Sequence, residues 1–157
     1  MFRKTIGILG GMGPVASADT YVELTKICQE KYNAVQDSDF PAIILYSLPL
    51  ENFNHKGFID KTDEQKSITQ QLVAALKKLE STGVDIIIID CNTVHYFFSE
   101  LQKSIKIPII DLIGITVEYA LKSGYKKLGV LCSQTSHDVS LYKNPLLKSG
   151  IEFIDTN

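Results

Sequence analysis

Residues 84–95 read Val-Asp-Ile-Ile-Ile-Ile-Asp-Cys-Asn-Thr-Val-His. An apolar run that ends in Asp90-Cys91 is a strand leaving a thiol at its carboxyl edge, just before a helix whose amino terminus favours the thiolate. A cysteine so placed can serve as a base or a nucleophile. Asn92 and Thr93 set side-chain donors beside it, and the amides of a helix start add more, a set suited to a carboxylate or an enolate oxygen. The competing reading is a small buried hydrophobe, the common fate of a free cysteine. His95 stands one helical turn further on, with three candidate roles: catalytic partner, ligand to Asp90, or cap.

A second constellation is the turn Gly10-Gly11-Met12-Gly13-Pro14-Val15-Ala16 after an apolar run. Gly11-x-Gly13-x-x-Ala16 fits the dinucleotide pattern, in which amides at a helix start meet an anion. That pattern also needs an acidic residue closing the second strand, and this strand ends Tyr46-Ser47-Leu48-Pro49 with no carboxylate before Glu51. Nicotinamide binding is therefore disfavoured, leaving a tight turn packed against its helix or a small-anion site. No phosphate-binding loop of the G-x-x-x-x-G-K-[ST] type occurs. Cys28 falls on the apolar side of the first helix and reads as core. Cys132 opens the hydroxyl-rich stretch Cys132-Ser-Gln-Thr135-Ser136-His137 at another strand end, a weaker site candidate. His55 reads as a solvated loop residue. Three cysteines without CxxC or Cys/His ligand spacing point to neither a disulfide framework nor a metal site.

Short β-branched runs and helical stretches alternate to position these groups. The expected strands are Thr5 to Leu9, Ala42 to Tyr46, Asp85 to Ile89, Pro108 to Ile110, Lys127 to Leu131 and Ile151 to Ile154. Runs such as IIIID lack alternation, as strands buried on both faces do, so the fold class is α/β with a doubly wound parallel sheet. The first helix is expected from Val15 to Lys31 with Ala18, Tyr21, Val22, Thr25 and Cys28 inward. The second follows a capping box, Thr62-x-x-Gln65, carries Ile68, Leu72, Ala75, Leu76 and Leu79 on one face, and stops at Gly83. A third follows Cys91, a fourth spans Asp111 to Ser123 before Gly124, and a fifth between Ser136 and Gly150 starts or kinks at Pro145. Gln36 to Pro41 and Glu51 to Asp60 are loop-like, the latter a candidate lid.

The chain has 157 residues, with 16 basic against 18 acidic side chains and a formal charge of −2. Mixed charge of this kind argues against nucleic acid. No run approaches the ~20 apolar residues of a membrane span, and the start lacks the features of a signal peptide, so a cytoplasmic protein is expected.

With GILGGMGPVAS near the start, CNTVHYFFSEL in the middle, and PIIDLI, KLGVL and LYK after it, the chain resembles the aspartate/glutamate racemase family. The resemblance implies two similar α/β lobes, here residues 1–104 and a partial second lobe over 105–157, with the active site between them. It implies inversion of a small amino acid, aspartate or a relative of it, without pyridoxal phosphate or metal, in a homodimer. Cys91 takes the role of the thiolate that removes the α-proton. Asn92 and Thr93 match the positions that hold the substrate carboxylate, Met12 matches the first turn of the pocket, and Thr135 falls in the threonine-bearing turn of the second lobe. The family's second cysteine, in a G-C-T-E-like motif, is expected beyond Asn157, with Cys132 or His137 as possible substitutes. Where typical aspartate racemases carry an arginine for the side-chain carboxylate, this chain reads Pro49-Leu-Glu-Asn-Phe-Asn54.

Overall fold

Ile-Gly-Ile-Leu-Gly forms β1 (Ile6–Gly10), and its last four residues are buried, as a strand covered on both faces requires. The structure, a computed structural model of the chain, describes residues 4–51, 53 and 62–155. The remaining elements are α1 (Pro14–Tyr32), β2 (Ile43–Ser47), α2 (Thr62–Ser81), β3 (Ile86–Ile89), α3 (Phe98–Ser104), α4 (Leu112–Lys122), β4 (Lys127–Gly129), α5 (Gln134–Asp138), α6 (Lys143–Lys148) and β5 (Glu152–Ile154). Short 3-10 turns occupy Asp37–Asp39 and Thr93–Phe97. Most of the proposed lid, including Asn54 and His55, lies outside the described residues, as does the Thr62 side chain.

Strands β2, β1 and β3 pair in parallel in that order, with Ile6 opposite both Ile43 and Ile86. The chain therefore steps one way from β1 to β2 and back across β1 to β3. Right-handed crossovers then put α1 and α2 on opposite faces of the sheet. On the α2 face, Ile68, Leu72, Ala75, Leu76 and Leu79 bury against Leu9, Ile87 and Ile89, the face expected from their spacing.

Helix α1 is rotated from expectation. Cys28 is buried and Thr25 half-buried, but Ala18, Tyr21 and Val22 are exposed and Ser17 is the buried residue near the start. The cause is a close approach: Ser17 Oγ accepts from Gly11 N at 3.0 Å, and a Cβ on Gly10 would stand 2.2 Å from that oxygen. With Ser17 pinned to the sheet, the inward face runs through Leu24 and Cys28, and the tyrosine side turns out. Gly11 is equally constrained, with φ of 90° and space for a Cβ only 2.4 Å from Leu48 O. Gly11→Ala should cost roughly 2–5 kcal/mol, combining left-handed strain with overpacking. Urea unfolding should show the midpoint falling at unchanged slope, and an unmoved midpoint would remove this account of the turn.

The segment Pro108 to Ile110, expected as the first strand of the second lobe, returns to the first sheet. Ile109 bridges Ile87 in parallel, with Ile87 N bonded to Pro108 O at 2.9 Å and Ile110 N to Ile87 O at 2.8 Å. Gln102 clamps it there, accepting from Ile109 N at 2.8 Å and donating to Ile107 O at 3.1 Å. Helix α4 then starts where its cap predicts, Asp111 Oδ1 accepting from Gly114 N at 3.0 Å, and closes before Gly124 at φ 77°.

The second lobe is a parallel pair, β4 and β5, over a small core of Val117, Ala120, Leu146 and Ile151. The expected fifth helix is two helices. The break falls at Ser140, whose φ is 52°, and Pro145 sits in the first turn of α6, where its missing N–H has no intrahelical partner to lose. Among the described residues no helix is long and apolar enough to cross a membrane.

Candidate active site

Strands β1 and β3 are neighbours at the point where the strand order reverses, and open parallel sheets take ligands outside the carboxyl ends of strands at such a point. Asp90 N donates to Leu9 O at 2.9 Å, which sets the step Asp90-Cys91 beside the glycine turn. The second lobe faces this edge across a cleft of about 490 Å³. Met12, Asp90, Cys91, Asn92 and Thr93 line it from one side, and Leu128, Cys132, Ser133, Ser136 and Tyr142 from the other. Four of the five site candidates, Met12, Cys91, Asn92 and Thr93, are thus brought together.

The fifth is not. Thr135 is fully buried and does not line the cleft. Ser133 caps α5 and Ser136 is its third residue, so these two share a side while Thr135, between them, turns into the lobe.

Cys91 receives N–H bonds from Thr93 and Val94, as expected at the start of a helical turn, yet its thiol pKa is raised above the ordinary 9.0. Burial is the largest cause and the neighbouring Asp90 charge adds to it, while the two amides oppose them without prevailing. This corrects the expectation of a favoured thiolate. The element after Cys91 is a 3-10 turn of 5 residues, so few peptide dipoles are aligned toward the sulfur.

His95 is buried and absent from the cleft lining. Its Nδ1–H donates to Cys91 O at 2.9 Å, and its Nε2 accepts from Leu112 N at 3.4 Å. Of its three candidate roles the geometry supports the cap: one imidazole ties the motif to the entry of α4. His95→Leu would leave a buried carbonyl and amide unpaired, a loss of roughly 2–5 kcal/mol. Denaturation should register that loss; an unchanged midpoint combined with lost α-proton exchange would instead give the imidazole a chemical role.

Side chains of the motif also reach across the cleft. Thr93 Oγ1 lies 3.1 Å from Ser136 Oγ and 3.3 Å from Ser133 Oγ, and the two serine oxygens are 3.0 Å apart. The Tyr142 hydroxyl donates to Asn92 Oδ1. That bond commits the oxygen end of the amide, and the Nδ2 end, with no partner among the described residues, keeps two N–H donors for a carboxylate. Burial, with a contribution from Cys132, raises the Tyr142 pKa, so the phenol stays protonated and able to donate. Cys132 is exposed on the second-lobe wall, whereas His137 points elsewhere, its Nε2 3.1 Å from Asp155 Oδ1. Cys28 is core, as read.

Sequence reasoning passes over Tyr142 and gives Asp90 only a passing role. Nothing in the local pattern marks Tyr142, because its partner lies 50 residues away. Asp90 does carry a signal, a charged residue closing an otherwise apolar strand.

The cleft is walled by two parallel α/β lobes, with a thiol at the switch point and amide and hydroxyl groups beside it. The chain belongs to the Asp/Glu/hydantoin racemase family, whose model matches residues 9–154. It is 32% identical over 149 residues to the broad specificity amino-acid racemase RacX of Bacillus subtilis, covering 95% of this chain and 63% of RacX. A shorter match, 36% over 76 residues, is to the glutamate racemase of Aquifex pyrophilus, covering 47% of this chain and 30% of that enzyme. Among solved structures, an aspartate racemase homologue from Pyrococcus horikoshii superposes with a TM-score of 0.78 at 28% identity, over 98% of this chain and 65% of the other. The Picrophilus torridus aspartate racemase gives 0.75 at 28% identity, over 97% and 62%. The chain thus spans a little under two thirds of the length of RacX and of these two structures.

Proposed function

We propose that the chain is a cofactor-independent amino-acid racemase in which Cys91 moves the α-proton. In this reading the Cys91 thiolate takes the proton from Cα, and the electron pair left behind spreads into the α-carboxylate as an enolate. Asn92 Nδ2 and the Thr93 hydroxyl array hold that carboxylate, and Met12 packs against the substrate. Thr135, buried behind the wall, supports the Ser133 to Ser136 turn. Return of a proton to the opposite face needs a second acid, and Cys132 is the thiol that lines the other wall. The observation that carries the proposal is the part-buried Cys91 lining the cleft next to an amide whose Nδ2 has no partner among the described residues.

The proposed substrate is a free small amino acid, with aspartate as one candidate. Among the described residues no lysine, arginine or histidine lines the cleft, so that part of the wall offers an acidic side chain no counter-ion. The lobe division at residues 104 and 105 belongs to the same proposal, with Ile109 lending one bridge back to the first sheet. So do a cytoplasmic location and a homodimer, the latter open to sedimentation, where a persistent monomer would remove it.

Solvent deuterium exchange at Cα, followed by proton NMR over a panel of amino acids, tests the central claim. Exchange of at least one amino acid is expected, and no exchange of any between pH 7 and 9 would overturn it. One observation favours a second reading, a protein that binds small carboxylates without full turnover: the raised Cys91 pKa keeps the thiolate scarce at neutral pH. Binding without exchange at alkaline pH is the outcome that selects it.

A further inference from the structure

Asp90 Oδ2 is buried without a hydrogen-bond partner among the described residues. A carboxylate oxygen shut away from water and left unpaired is costly, and native proteins seldom keep one without a use. Asp90 lines the cleft, directly before Cys91, and it is the one aspartate or glutamate on a described wall that holds no lysine, arginine or histidine. The same cleft also holds neutral polar groups, the Asn92 amide and Thr93 hydroxyl on the Asp90 side and the Ser133 and Ser136 hydroxyls on the other. An anionic acceptor and a set of neutral donors lining one cleft match the two ends of an amino-acid zwitterion, and the Cys91 thiol stands between Asp90 and Asn92 in the chain.

We infer that the Asp90 carboxylate is the group that receives the substrate's α-ammonium, and that it restricts the cleft to free α-amino acids over N-acylated or cyclic ureido relatives. This deepens the racemase proposal and rests on it for the identity of the reacting carbon. An ammonium brings three N–H donors and a positive charge to the Asp90 carboxylate on the cleft lining and offsets the cost of its unpaired oxygen, whereas an acylated nitrogen has one N–H and no charge. Neutralisation has a second effect. Asp90 is the like charge that opposes the Cys91 thiolate, so a bound ammonium removes that opposition only when an amino acid is present.

The test reads binding apart from turnover. Cys91 alkylation by iodoacetamide is timed with and without ligand, using an amino acid that exchanges or, failing exchange, the panel, and the N-acetyl form of each. The ratio of rates cancels any change in intrinsic thiol reactivity. In the wild-type chain free amino acids should protect and their N-acetyl forms should not. In Asp90→Asn, protection by the free amino acid should weaken by about 30-fold or more, the scale of a buried charge pair losing one partner, and the free form should lose its advantage over the N-acetyl form. Equal protection by both forms in the wild type, absence of protection by any amino acid, or undiminished protection in Asp90→Asn would each overturn the assignment. If Asp90→Asn fails to fold, the wild-type comparison of free and N-acetyl forms decides. Protection that depends on Asp90 together with no α-proton exchange would uphold the ammonium site and retire the racemase proposal instead.

Discussion

Cys91→Ser should abolish measurable α-proton exchange, with a fall of about 10²- to 10⁴-fold, the range for removal of one positioned acid or base. Serine keeps the shape of the side chain and its place between the Thr93 and Val94 amides, but its hydroxyl is far too weak an acid to supply a comparable base. Cys28→Ser, a change in the core of α1, should leave exchange per folded molecule intact while lowering stability. Cys132→Ala divides the outcome further. If the second-wall thiol returns the proton, this variant exchanges one enantiomer with solvent but inverts it poorly. Exchange retained in Cys91→Ser would remove the motif from the chemistry altogether, whatever the family does elsewhere.

The second large effect is on pH. Because burial and Asp90 push the Cys91 thiol above 9.0, exchange catalysed by its thiolate should climb about tenfold per pH unit from neutrality, with no plateau below pH 9. Stability should move the other way. A thiol whose folded pKa exceeds its unfolded value of about 8.5 contributes stability that is complete below the unfolded value and lost as pH rises through the folded one. Asp90→Asn removes the like charge, so the alkylation profile of the free protein should shift to lower pH. A flat alkylation profile between pH 7 and 9 would mean that the thiolate is already formed at neutrality and that desolvation does not govern this site.

Much of the scaffold is legible in the chain. The unalternating runs locate β1, β2 and β3, although only β1 and β3 carry buried residues and the edge strand β2 leaves Leu45 exposed, and Asp111 and Gly124 bracket α4 because cap and stop are local chemistry. Orientation is less legible. That Ser17 and not Tyr21 faces the sheet depends on how closely α1 approaches Gly10, a distance that exists only once strand and helix are packed. The destination of Pro108 to Ile110 is likewise decided by the Gln102 clamp and the open edge of β3. At the site, the place of Cys91 follows from its motif, but the direction of its pKa does not. A helix start and a burial penalty act on the same sulfur with opposite signs, and only the folded surroundings say which is larger.

The hydroxyl array of Thr93, Ser133 and Ser136 joins the two sides of the cleft and has no fixed polarity. Each of these oxygens can donate or accept, and an O–H rotates about its C–O bond at little cost, so the three bonds can run round the array in either sense without moving an oxygen. In the same cleft as Asp90, this array behaves as a small, fast dielectric that takes its orientation from whatever anion arrives. The proposed reaction between mirror images makes an unusual demand, because the same pocket must serve as well for product as for substrate in both directions. A dipole that reorients with its guest favours neither hand, and a rigid donor set would have to be built twice.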